Sequence, residues 1–91
     1  LFILHFSMSH ISRDEFRKAI YTLKASGSFS NHEIDEVENL FYSSLHESGA
    51  SAGISSEELQ KSVHYLKHNP ENHHLSSDEI KKLEEVLAHY L

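Results

Sequence analysis

Nine histidines in 91 residues supply the most conspicuous chemistry in this chain. They are His5, His10, His32, His46, His64, His68, His73, His74 and His89. His64 and His68 stand four residues apart in a helical pattern, so both imidazoles share one face opposite Leu59, Val63 and Leu66. That spacing chelates Zn²⁺ or Ni²⁺, and His73 and His74 follow closely enough to add a ligand. The competing reading of the same pair is a solvated polar face. There is no HExxH sequence, so nothing supports a metalloprotease. Protonating every histidine near pH 5 would carry the formal charge from −6 to about +3, which makes a pH-dependent partner switch conceivable.

Other catalytic arrangements are missing. The chain contains no cysteine, which removes disulfides, thiolate nucleophiles and cysteine-ligated zinc and leaves the compartment open. An intracellular setting, cytoplasmic or mitochondrial, is the expectation. Three glycines make no phosphate loop. Carboxylates such as Asp35, Glu36 and Glu38, or Glu84 and Glu85, alternate with apolar residues and read as solvated faces. None stands alone in an apolar setting, where a general acid would be sought. The expectation is a protein that is not an enzyme.

Fourteen acidic against eight basic residues repel phosphate backbones, so no nucleic-acid partner is expected. No apolar run approaches the roughly 18 residues of a membrane span. At 38% hydrophobic and 24% charged, the chain is globular rather than disordered, and its length suits one domain over 1–91.

The elements that must position these groups announce themselves four times. Ile11-Ser12-Arg13-Asp14-Glu15-Phe16, Phe29-Ser30-Asn31-His32-Glu33-Ile34, Ile54-Ser55-Ser56-Glu57-Glu58-Leu59 and Leu75-Ser76-Ser77-Asp78-Glu79-Ile80 share one pattern. Each is a capping box, in which the Ser hydroxyl accepts from the backbone N–H three residues on and the Glu reaches back to the Ser N–H. The flanking apolar residues form a hydrophobic staple. The spacing predicts helices over about 13–25, 31–47, 56–68 and from 77 to the end. Gly27, Gly49 and Asn69-Pro70 supply the stops.

Each helix carries one apolar stripe. These are Phe16, Ala19, Ile20 and Leu23; Ile34, Val37, Leu40, Phe41 and Leu45; Leu59, Val63 and Leu66; and Ile80, Leu83, Val86, Leu87 and Leu91. No stretch alternates with period two long enough to demand a sheet. The first stripe matches the third at an offset of about 43, and the second matches the fourth at about 46. Tyr21, Tyr42, Tyr65 and Tyr90 fall at stripe edges or off them, as interface or half-buried tyrosines do. The fold expected is all-α, with four helices in two helical hairpins.

Glu38-Asn39-Leu40-Phe41 through Gly53-Ile54-Ser55-Ser56-Glu57-Glu58-Leu59 resembles an EF-hand with a degenerate loop, of the calmodulin and myosin light-chain superfamily. Ile54 and Glu58 fit loop positions 8 and 12, and Ile11 and Glu15 fit the same places ahead of the first helix. The resemblance implies an EF-hand-like domain of paired hands. It also implies a calcium loop at 47–58, with Glu47, Ser51, Ser55 and Glu58 as ligands. The loop keeps too few carboxylates for a strong site, since Ca²⁺ takes 6–8 oxygens, and it has Ala52 where a turn glycine belongs. Calcium binding is therefore expected to be weak or lost, with no other cofactor, and Glu58 also reads simply as a helix cap. The fourth helix has the stripe of an entering helix and the first that of an exiting one. The two are expected to meet within one molecule, with self-association by swapping as the alternative.

Residues 1–10 form an apolar docking segment in which Leu1, Phe2, Ile3, Leu4 and Phe6 need a cover: the bundle itself, a partner or a membrane surface. The function expected is a non-catalytic protein–protein interaction module, a small structural subunit of a larger assembly. The alternative is an ion-binding protein, with weak Ca²⁺ at 47–58 or Zn²⁺/Ni²⁺ at His64 and His68.

Overall fold

A computed structural model of the chain describes residues 10–46 and 52–91. Its order is β1 (His10–Ile11), α1 (Arg13–Ala25), α2 (Asn31–Leu40), α3 (Tyr42–Leu45), β2 (Ile54–Ser55), α4 (Ser56–His68), a 3₁₀ turn (Pro70–Asn72) and α5 (Ser77–Ala88). The protein is mostly helical.

All four capping boxes close. Ser12, Ser30, Ser55 and Ser76 each accept from the N–H of Glu15, Glu33, Glu58 and Glu79, and each Glu carboxylate accepts in return from its Ser N–H. The apolar residue ahead of each cap, Ile11, Phe29, Ile54 or Leu75, is buried. One short motif therefore starts each of these helices and also contributes a core side chain.

The core joins these four residues to the stripes. Phe16, Ala19, Ile20 and Leu23 of α1 meet Ile34, Val37, Phe41 and Leu45, then Leu59, Val63 and Leu66 of α4, and Ile80, Leu83 and Leu87 of α5. Phe41 stands edge-on to Phe16 with ring centroids 5.8 Å apart. Within one chain, α5 packs against both α4 and α1.

Three details differ from the sequence expectation. The second helix does not run unbroken to 47. It breaks at Phe41, whose φ of −103° and ψ of 7° leave helical geometry, and whose N–H reaches the Val37 carbonyl only at 3.4 Å. Neither Gly nor Pro stands at the break; its residue, Phe41, is 1% exposed. The last helix ends at Ala88, so Leu91 lies beyond it, 38% exposed, instead of completing the stripe, and Val86 is half-buried.

The third is a small antiparallel ladder pairing His10 with Ser55 and Ile11 with Ile54. Two residues a strand leave no alternation to read. Gly53 makes its close approach possible. At φ +100° it lies where L side chains rarely go, a Cβ there would collide with the Ile11 carbonyl oxygen, and its N–H donates to Ser44 O at 3.0 Å.

Candidate functional site

Three places gather polar chemistry. The first surrounds Glu58 at the start of α4. Its Oε1 accepts from the Ser55 N–H at 2.8 Å, and its Oε2 accepts from the Ser44 hydroxyl at 3.0 Å. Burial pushes this carboxyl up. The hydrogen bonds from Ser55 and Ser44, with the charge of His10 nearby, outweigh that and hold it below the ordinary carboxylate value. Both oxygens thus serve the helix cap and its link to α3, and Ser55 is the cap itself. Glu47 and Ser51, the other two residues assigned to the calcium loop, lie outside the described residues, as does the predicted stop at Gly49. Leu1, Phe2, Ile3, Leu4 and Phe6 of the docking segment do so too.

The second place is the histidines. His64 and His68 lie exposed on α4 with ring centroids 4.0 Å apart, as their spacing predicts. His73 turns inward and is used up. Its Nε2–H donates to the Leu66 carbonyl at 2.7 Å, and its Nδ1 accepts from the Leu75 N–H at 3.0 Å. With both nitrogens engaged, it has no lone pair to add to a metal site.

His74 turns to α2 instead of to α4. Its Nδ1–H donates to Glu36 Oε2 at 2.8 Å, and its backbone N–H donates to Glu36 Oε1 at 3.0 Å. One turn earlier on α2, His32 Nε2 stands 3.9 Å from the same Oε2. The two imidazoles meet edge to face at 4.6 Å. One potential ligand atom from each of His32, Glu36 and His74 lies within 4.8 Å of the others, and among the described residues no other trio of such side chains does so. Burial pushes the Glu36 carboxyl up. The hydrogen bonds from the His74 ring and backbone, and the charges of His74 and His32, together pull it further down. Sequence reasoning had read Glu36 as a solvated face. The i, i+4 pair His32 and Glu36 was the available signal, but nothing local marks His74 as its neighbour.

The third place is a groove of about 590 Å³ between α1 and α2. Phe16, Ile20 and Leu45 reach its floor. Tyr21 and Tyr42, 75% and 59% exposed, stand at its sides. Arg13, Arg17 and Lys24 line it with one lining carboxylate, Glu38, and Arg17 also pairs with Asp14 at 3.6 Å. Arg13 is held in place by its Nε–H, which donates to the Leu45 carbonyl at 3.1 Å. Tyr42 stacks on His46 at 3.9 Å, and the His46 Nδ1–H donates to the Tyr42 carbonyl, so the two rings form an aromatic lip spanning α3.

No helix among the described residues is long and apolar enough to cross a membrane. Comparison with protein-family models, with curated proteins and with solved structures finds no match to this chain.

Proposed function

We propose that this protein is a non-catalytic protein–protein interaction module, EF-hand-derived, whose calcium chemistry is largely lost. The observation that carries the reading is the groove between α1 and α2. An apolar floor flanked by exposed tyrosines suits the buried face of an amphipathic helix. Tyrosine supplies contact area with little entropy to lose.

Charge selects the partner. The chain is net −6, yet three of its eight Lys and Arg side chains line this one groove. An acidic amphipathic segment would be steered there and away from the rest of the surface. The apolar run at Leu1, Phe2, Ile3, Leu4 and Phe6 would serve as a second docking element toward other subunits of an assembly.

One feature supports the EF-hand derivation and a second the loss of calcium. Ile11 and Ile54, each just ahead of a capping box, pair across the β1–β2 ladder, and the helix of each box leads away from it. Glu58, which would be the strongest calcium ligand, has both oxygens committed to Ser55 and Ser44.

The test is titration of the isotope-labelled chain with two helical peptides that share one apolar face, one with acidic flanks and one with basic flanks. The acidic peptide is expected to shift the resonances of Arg17, Tyr21 and Tyr42, and Arg17→Glu to weaken it. Equal binding of both peptides, or shifts away from α1 and α2, would remove the reading. A thermal melt unmoved between EDTA and millimolar Ca²⁺ is expected; a rise of several degrees would restore the calcium loop.

A further inference from the structure

We infer that His32, Glu36 and His74 form a binding site for a borderline divalent transition metal, with Zn²⁺ the natural occupant. The ligand types fit that class. Two imidazoles and one carboxylate suit zinc, whereas Ca²⁺ asks for six to eight oxygens, which this place does not offer.

The geometry is close to what zinc requires. Bonds of about 2.0–2.1 Å in a tetrahedral shell separate neighbouring ligand atoms by about 3.3–3.5 Å. The distances from Glu36 Oε2 to His74 Nδ1 and to His32 Nε2, 2.8 and 3.9 Å, bracket that value. The His74 and His32 side chains, 68% and 67% exposed, have room to rotate toward that spacing, and all three ligand atoms lie within 4.8 Å of one another. Water completes the fourth position.

The carboxylate is already oriented. The backbone N–H of His74 holds Oε1, which leaves Oε2 to face both rings, the role usually played by a supporting hydrogen bond around a metal. Glu36 is also the least exposed of the three, at 23%. Coordination through Nδ1 uses the other tautomer of His74, with the ring proton moved from Nδ1 to Nε2.

Zinc here would tie α2 to the segment that joins α4 and α5, with Glu36 and His74 separated by 38 positions in sequence. A bound ion would therefore raise the stability of the whole fold. This site and the α1–α2 groove share no residue, so each stands or falls without the other.

The experiment is a Zn²⁺ titration of the full chain by calorimetry, with thermal melts in EDTA and in Zn²⁺ at neutral pH. Two variants accompany it. His32→Ala removes an exposed ligand whose polar and ring interactions among the described residues are the 3.9 Å approach to Glu36 and the ring contact with His74, so its EDTA melt should stay close to the native one. His64→Ala with His68→Ala removes the other histidine pair. We expect one ion per chain, a Zn²⁺-dependent rise in Tm kept by the double variant, and loss of that rise with at least about a 10-fold weaker affinity in His32→Ala. No heat with millimolar Zn²⁺ would overturn the inference. So would a rise that survives in His32→Ala or vanishes in the double variant.

Discussion

The two halves of the molecule use nearly the same core and end in different shapes. Phe16, Ile20 and Leu23 of α1 are buried as Leu59, Val63 and Leu66 of α4 are, and α1 and α4 are both 13 residues long. Ile34, Val37 and Phe41 are buried as Ile80, Leu83 and Leu87 are, and Leu40 and Val86 are both half-buried. Yet α5 lies closely along α4, whereas α1 and α2 approach over a short stretch and leave a groove open.

The links explain the contrast. Between α4 and α5 the chain makes a 3₁₀ turn, and His73 then binds back to Leu66 and forward to Leu75, so α5 is folded onto α4. Between α1 and α2, Gly27 takes φ +76° with nothing near its Cβ position, and the Ser26 hydroxyl donates back to Leu23 O. Ser26 also accepts from the Ser28 N–H at 3.3 Å, so this link is tied only to residues two and three positions away, whereas His73 reaches back seven residues to Leu66. The lesson is that matching stripes set what is buried, and the links set which pair stays open to a partner.

The largest effect should come from testing the closed pair against the open one. Leu83→Ala empties a fully buried position on α5 and should cost about 2–5 kcal/mol in urea unfolding. Leu40→Ala, on α2 and half-buried, should cost no more than about 1–2 kcal/mol. Val37→Ala, the counterpart of Leu83 on α2 and equally buried, is the matched variant, and a loss equal to that of Leu83→Ala would mean the two pairs are packed alike.

Next comes the ladder that joins the halves. Gly53→Ala forces a side chain into the left-handed region and against the Ile11 carbonyl, so we expect about 1–3 kcal/mol lost and a lower Tm. A variant that melts with the native protein would show that β1 and β2 do not hold the halves together.

Acid gives a smaller effect. Glu33, Glu36 and Glu58 are all held below the ordinary carboxylate value. For Glu33 the Ser30 backbone N–H is the main cause. Groups that bind protons more weakly when folded stabilise the fold fully above their unfolded pKa, about 4.3, and lose that contribution as pH falls through the lowered folded value. Stability should therefore decline on acidification below about pH 4.3, and Glu36→Gln should flatten that decline. A native profile level from pH 5 to 3 would contradict it.

The helix starts were plain in the sequence because a capping box is a contact between residues three apart. The stripes were plain because helical periodicity is local too. Even the Phe41 break falls inside an apolar stripe that the sequence shows. What escaped is what depends on residues far apart in the chain. The two-residue ladder joins Ile11 to Ile54, and its strands are too short to leave a pattern.

The histidines divide along the same line. His64 and His68 could be placed on one face from spacing alone, and they lie there. His73 and His74 are neighbours in sequence, yet one faces Leu66 and the other Glu36. Nothing in a dipeptide specifies that divergence. It arises because α4, α5 and α2 are packed around the link that carries both residues, and extended backbone at His73, with φ −156° and ψ 176°, sends successive side chains to opposite sides. Local hydrogen-bonding and hydrophobic periodicity thus wrote the helices and much of the core into the sequence, whereas the candidate metal ligands and the open groove depend on how the links fold those helices together.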